Sequence, residues 1–121
     1  EWETWVSDTY TNRNFESTVI GFDAATLSAG ALLNRWMSDN DKNMINYNNP
    51  EYDKVMQEAN ASTDDAKQTE LYKQAAAMLS ETAANVYIQD LADFVLLKNN
   101  LDGYQFYPLY VMDLSTVHYV Q

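Results

Sequence analysis

The sequence predicts an α/β fold, with α+β as the alternative, in which packed helices accompany a small mixed sheet. Apolar residues recur at helical spacing through much of the chain, and β-branched and aromatic runs occupy separate segments. The predicted order is helix, strand, helix, two helices and then strands. The 121 residues, 46% of them hydrophobic, suffice for one domain that buries roughly 65% of its unfolded surface. We therefore expect residues 1–121 to form a single domain.

The chain begins with a predicted amphipathic helix that ends near Asn12 and Asn14. A β-branched and aromatic run at residues 15–22 then predicts a strand, and the small residues that follow allow the chain to turn. Thr26 or Ser28 is suited to cap the next helix. Helical spacing gives the two helices these buried faces: Trp2, Trp5, Val6, Thr9 and Tyr10 in the first, and Ala29, Leu32, Leu33, Trp36 and Met37 in the second.

Two longer helices follow. Asn49 before Pro50 predicts a helix start, because Asn accepts from free backbone N–H groups and Pro suits the first helical position. Asp64 and Asp65 begin the longest helix, and the short polar link before it favours an antiparallel pair. The predicted buried faces are Tyr52, Val55, Met56 and Ala59 in the first, and Leu71, Ala75, Met78, Leu79 and Ala83 in the second.

From Asn85 onward the pattern changes to β-forming residues with a period of two. Residues 86–88 and 94–97 are predicted strands, separated by an acidic break at residues 90–93. Asn99-Asn100 and Asp102-Gly103 indicate turns. Pro108 makes an uninterrupted central strand in the tail unfavourable, because proline cannot donate to a ladder.

Composition excludes several classes of function. The 18 acidic and 7 basic residues give a formal net charge of -11, which repels nucleic acid and anionic lipid. The chain has no cysteine, so it has no disulfide and no thiolate nucleophile. Asp39, Asp41 and Asn43 have the first spacings of a calcium loop, but Met44 and Pro50 stand where that loop needs Gly and Glu. We predict no metal site and no cofactor.

Catalytic motifs are also missing from the sequence. The single histidine, His118, has no cysteine partner, and no serine lies in a Gly-x-Ser-x-Gly motif. The acidic residues allow many pairs of carboxylates in space. An acidic hydrolase, in which two carboxyl groups face each other, is therefore one functional hypothesis. We predict a non-enzymatic protein with no catalytic residue.

A co-linear set of landmarks links the chain to a known family. The landmarks are Gly21-Phe22-Asp23, Trp36 to Asp39, Asn43 to Tyr47, Asn49 to Asp53, Glu70 to Ala75 and Leu101 to Tyr104. In this order they resemble the C-terminal part of the family 5 extracellular solute-binding proteins, which are peptide- and oligopeptide-binding components of ABC importers. The resemblance runs from about Phe15 to Gly103.

The resemblance implies a fold and a function. The family has two α/β lobes that close on a ligand, so this chain would be a fragment of the C-terminal lobe and would need the remaining lobe to bind well. It would capture a peptide or other small solute outside the cytoplasmic membrane and deliver it to the permease subunits. Such proteins are cell-surface lipoproteins or free in the periplasm of bacteria. The sequence opens at Glu1 without an export signal, which we expect to have been removed or to lie upstream.

The resemblance also implies four ligand-binding residues. Gly21 and Phe22 match a family pattern, Gly-Trp-x-x-Asp, whose aromatic residue lines the cavity and whose Asp holds the amino group of a peptide. The Asp position falls on Ala25, so we consider Asp23 as its replacement. The strand after the longest helix supplies Gln89 and Asp90, and we expect its tip and that of the Phe22 strand to share one cavity. Asn43 and Tyr47 match a family pattern that we interpret as loop architecture.

Each of these residues also has a structural interpretation. Asp23 is suited to a turn in which it bonds to its own backbone, and Asp90 to a bulge at a sheet edge. Core packing is the favoured role of Trp2, Trp5 and Trp36. Exposed coplanar rings would instead favour an alternative function, a secreted carbohydrate-binding or protein-interaction module that uses surface aromatics.

Overall fold

The computed structural model describes residues 1–23, 26–90, 92, 94–107 and 112–120. The chain divides into two compact units, Glu1–Val86 and Tyr87–Gln121. The first contains the helices and the second a two-stranded sheet, so an α+β class is consistent with the structure. That the chain is a single domain within a larger lobe remains a prediction. No helix within the described ranges is long and apolar enough to cross a membrane.

The predicted N-terminal helix is present, with an unusual geometry. It begins as α1, Trp2–Thr4, and continues as a π-helix, Trp5–Thr11. The N–H of Asn12 donates to the carbonyl of Ser7 at 3.0 Å, five residues back, as in other π-helical turns. The helix therefore ends at Thr11 with Asn12 as its C-cap, close to the predicted end.

The helix α2, Ala29–Leu33, is shorter than predicted. Ser28 caps it by accepting from the N–H of Ala31. The chain then tightens into a 3₁₀ turn, Asn34–Trp36, which rotates the following side chains relative to a continued α-helix. Leu33 and Trp36 are buried as predicted, together with Gly30. Met37 is half-buried, and the prediction was wrong for Ala29 and Leu32, which are exposed.

The helices α3, Pro50–Ala61, and α4, Asp65–Glu81, pack against each other as predicted. Asn49 accepts from the N–H groups of Glu51 and Tyr52, and Asp64 accepts from that of Lys67. The predicted stripe of α3 is entirely buried, and Ala75 and Leu79 of α4 are buried with it. Ala83 was wrongly assigned to this face, because α4 ends at Glu81 and Ala83 is exposed with φ 53.

The core of the first unit lies between α2, α3, α4 and the loop at residues 37–49. Tyr52 is fully buried and its hydroxyl donates to the carbonyl of Leu33 at 2.7 Å. Asn43, 6% exposed, donates to the carbonyls of Met37 and Tyr47 and accepts from the N–H of Tyr47. The interpretation of Asn43 and Tyr47 as loop architecture is therefore confirmed.

The strands predicted at residues 15–22 and within 86–97 are not formed in the described parts of the chain. A strand needs a neighbour to receive its backbone hydrogen bonds. The first unit offers only helices and loops as neighbours of residues 15–22, so this segment forms no ladder. Leu91, Asp93 and Pro108, which entered the predictions for the C-terminal strands, lie outside the described residues.

The second unit contains two short antiparallel strands, β1, Leu101–Asp102, and β2, His118–Tyr119. Leu101 faces Tyr119 and Asp102 faces His118. The predicted turn at Asn99-Asn100 is present before β1. Gly103 follows β1 with φ 87, where a side chain would meet the carbonyl of Thr116. Glycine is the residue that this backbone requires.

Candidate functional site

A cleft of about 290 Å³ lies between the N-terminal helix, the end of the 15–22 segment and the 3₁₀ turn. We call it the aromatic cleft. Its wall includes Trp2, Trp5, Tyr10, Gly21, Phe22 and Arg35. The structure thus places Phe22, a residue predicted to contact ligand, at the wall of a cavity. Phe22 is half-buried, so part of its ring faces the cleft.

Two neighbours hold the ring of Phe22. Trp36 meets it edge to face, with centroids 5.7 Å apart and an interplanar angle of 80°. The guanidinium carbon of Arg35 lies 4.2 Å from the ring centroid, within the range of a cation–π interaction. One Arg35 nitrogen also donates to the carbonyl of Lys42 at 3.4 Å. The cleft therefore combines aromatic surface with a fixed positive charge.

Trp2 and Trp5 form another wall of the aromatic cleft. Their rings stack with centroids 5.3 Å apart and an interplanar angle of 12°. The indole N–H of Trp5 donates to the hydroxyl of Thr18 at 2.9 Å, which ties this helix to the segment at residues 15–22. Trp2 is 65% exposed, whereas Trp36 is 6% exposed. Core packing is thus confirmed for Trp36 and wrong for Trp2, which lies on the open side of Trp5.

Asp23 follows Phe22 and is exposed. Within the described ranges it makes no hydrogen bond and no ion pair. The family's Asp position, Ala25, lies outside the described residues. Whether Asp23 contacts a ligand or its own turn therefore stays a prediction.

Gln89 and Asp90 belong to the second unit and are exposed. The two residues come after an exposed apolar run, in which Val86 is 81% and Ile88 69% exposed. Their roles as ligand contacts, and the shared cavity with the tip of the Phe22 strand, stay predictions.

A second, polar cleft was not predicted. Its volume is about 390 Å³, and its wall includes Arg13, Ser38, Asn40, Asp41, Asn46 and Asn48. Arg13 has φ 56 and donates to the carbonyl of Asp41 at 3.0 Å. Amide and hydroxyl groups suit a hydrogen-bonding solute or ordered water. The many Asn and Asp residues at positions 38–49 are the sequence signal that could have predicted this polar cleft. They do not indicate that Arg13 packs against this loop.

Neither cleft contains an arrangement suited to metal binding. Across the described part of the chain, no three His, Cys, Asp or Glu side chains converge closely enough to hold an ion. Residues 39–43, which share the first spacings of a calcium loop, instead form turns in which Asn40 accepts from the N–H of Lys42.

Two known proteins are similar to this chain over 104 residues, or 86% of its length. Identity is 30% to the periplasmic oligopeptide-binding protein OppA of Haemophilus influenzae. It is 29% to the probable deoxycholate-binding periplasmic protein YgiS of Escherichia coli. Both relatives are periplasmic binding proteins. The chain spans 19% of the length of each.

The similarity supports a relationship to periplasmic solute-binding proteins as a broad class. It does not identify the narrower family that the landmarks resemble. No protein-family model matches the sequence. Both relatives are named as binding proteins, and neither is named as an enzyme.

Proposed function

We propose that this chain is part of the C-terminal lobe of a family 5 extracellular solute-binding protein that serves an ABC importer. The observation that carries the proposal is the similarity to two periplasmic binding proteins over 86% of the chain. The protein would act outside the cytoplasmic membrane of a bacterium, as a cell-surface lipoprotein or in the periplasm. It would deliver a peptide or other small solute to the permease.

The proposed ligand contacts are Phe22, Asp23, Gln89 and Asp90. Phe22 supplies aromatic surface at the aromatic cleft, and the other three supply exposed polar groups. The remaining lobe would provide the facing wall, because proteins of this kind enclose the ligand by hinge closure and exclude water from it. Affinity then depends on both lobes, with no covalent step.

The two relatives point to different ligands. One is named for oligopeptides and the other for deoxycholate, a carboxylate with a large apolar body. In this chain Ala25 occupies the position where peptide-binding relatives have Asp, and alanine cannot pair with an ammonium group. We therefore propose that the ligand is not held by the standard peptide amino-group anchor.

Calorimetry on the intact protein that contains this segment tests the proposal. We expect a mixture of short peptides or deoxycholate to bind the intact protein at least tenfold more tightly than the isolated 121-residue chain, because half of the cavity wall is absent from the chain. Tight binding of a peptide or a bile acid to the isolated chain would contradict the two-lobe proposal.

A carbohydrate-binding or protein-interaction module is the second candidate, favoured by the exposure of Trp2. Sugar platforms present ring faces side by side, whereas Trp2 and Trp5 cover each other with centroids 5.3 Å apart. One indole face is left for a ligand. Retardation of the chain in gels that contain a soluble polysaccharide, lost in Trp2→Ala, would support this candidate over the transporter lobe.

A further inference from the structure

We propose that the aromatic cleft binds the carboxylate of a small monoanion with a flat apolar body, and that Arg35 is the anion-binding residue. The inference deepens the proposed function and rests on it for the role of Phe22 in ligand contact. It adds a residue, Arg35, and a chemical class of ligand.

The charge environment of Arg35 is the first support. The chain has 18 acidic residues against 7 basic ones, so a carboxylate partner for any arginine is readily available. The ion pairs within the described ranges are Lys67–Glu58 and Lys73–Glu70. Arg35 has neither a carboxylate partner nor a second hydrogen bond beyond the carbonyl of Lys42 among these residues. Its remaining donors are therefore available to an external anion.

The surroundings of Arg35 strengthen such an interaction. The side chain is half-buried and lies over Phe22, which orients the planar guanidinium. Partial burial lowers the effective dielectric constant, so a carboxylate gains more here than at an exposed lysine. A preorganised guanidinium also loses less side-chain entropy when it pairs.

The size and lining of the cleft define the rest of the ligand. A volume of about 290 Å³ lies at the lower limit of small-molecule sites, so it suits a one- or two-ring body. Trp2 lines the cleft, and its 65% exposure leaves indole surface against which a flat apolar group can stack. The net charge of -11 disfavours polyanions such as nucleotides by long-range repulsion. The ligand that best fits these properties carries one negative charge on an apolar body.

Binding of 2-naphthoate and of its neutral counterpart 2-naphthamide to the chain, followed by NMR titration, tests this inference. We expect naphthoate to bind at least tenfold more tightly than naphthamide. Arg35→Gln should weaken naphthoate roughly tenfold, as expected for loss of a hydrogen bond to a charged group, and naphthamide less than twofold. Lys54→Gln, which makes the same change in net charge at an exposed position of α3, should leave both affinities unchanged.

Two further variants separate a binding role from a structural one. Arg35→Lys keeps the charge and should retain most of the preference for naphthoate. Trp2→Ala should weaken both probes by a similar factor of roughly two to ten, since it removes stacking and no charge. Equal binding of the two probes, or an unchanged preference in a folded Arg35→Gln variant, overturns the inference.

The results also distinguish this inference from the proposed function. If the intact protein binds neither peptide nor deoxycholate while the Arg35-dependent preference persists, the transporter proposal fails and the anion site stands. If the intact protein binds its solute and Arg35→Gln alters neither probe, the anion site alone fails.

Discussion

Ala83 adopts a left-handed backbone just beyond α4, with φ 53. The N–H of Ala84 returns to the carbonyl of Leu79 at 3.0 Å, which closes the end of the helix in the manner of a glycine-terminated helix. An alanine in this region costs about 1–2 kcal/mol, and glycine removes that cost while adding freedom to the unfolded chain. Glycine at position 83 should therefore give a more stable folded state than alanine does.

We therefore expect Ala83→Gly to raise the free energy of unfolding by about 0.5–1 kcal/mol, measured by urea denaturation. Ala77→Gly is the matched control. Ala77 lies at an exposed position within α4, where glycine should destabilise by about 1 kcal/mol. Equal destabilisation by both substitutions would contradict the left-handed geometry at Ala83.

Asn43 holds the loop between the 3₁₀ turn and α3. Its side chain makes three hydrogen bonds to the backbone of Met37 and Tyr47, between 2.8 and 3.1 Å. Because Asn43 is buried, Asn43→Ala removes all three bonds and leaves the N–H and the carbonyl of Tyr47 without these partners, so it should cost about 2–4 kcal/mol. Asn48→Ala, at an exposed position of the same loop, should change stability by less than about 0.5 kcal/mol. A thermal melt of the two variants that showed equal losses would refute this role for Asn43.

Residue-scale signals explain only part of the candidate site. The resemblance around Gly21 indicated Phe22 as a ligand contact, and the structure places Phe22 at a cleft. Arg35 was not predicted, because an arginine in a helical pattern carries no sign of the ring beneath it. The contact follows from the 3₁₀ turn at Asn34–Trp36, which turns Arg35 towards Phe22. The exposure of Trp2 was also missed, since helical spacing does not tell which end of an apolar stripe is covered.

At the scale of elements, an exposed ion pair joins α3 to α4. The ammonium of Lys67 lies 2.7 Å from a carboxylate oxygen of Glu58. The hydrogen bond and charge of Lys67 lower the pKa of Glu58, and the same carboxylate raises the pKa of Lys67. A folded-state pKa below the unfolded one means that the stabilisation is present above the unfolded pKa and is lost as the pH falls through the folded pKa.

Glu58→Gln should therefore lower the urea midpoint slightly at neutral pH and have no such effect near roughly pH 2, where Glu58 is protonated in both states. The effect is small because both side chains are exposed, and added salt should reduce it further. A difference between the two proteins that grows as the pH falls would contradict the ion pair.

The helices were the elements that the sequence predicted well. Asn49 and Asp64 start α3 and α4 through bonds to neighbouring N–H groups, and such signals are local. The strands depend on partners that local sequence does not specify. Residues 15–22 have the composition of a strand, but pairing requires another strand beside them, and α2 to α4 cannot supply one.

At the scale of the whole molecule, the proposal that this chain is part of a larger lobe accounts for its exposed apolar segments. Val19 is 80% exposed, and in the second unit Phe94 and Leu96 are 83% and 90% exposed. Exposed runs of this kind are typical of surfaces that pair with another part of the protein. In the proposed lobe, each of these segments would pair with strands from the remaining chain.

Hydrogen exchange tests this pairing. In the 121-residue chain we expect the amides of residues 15–22 to exchange rapidly, because they have no ladder partner, whereas the amides of α4 around Leu79 are protected. In the intact protein the 15–22 amides should slow by at least about a hundredfold, since exchange from a paired strand requires local opening. Protection at Leu79 in both samples is the internal control. Rapid exchange of residues 15–22 in both samples would show that no strand forms there, and the proposal that this segment ends in a sheet beside the ligand would fail with it.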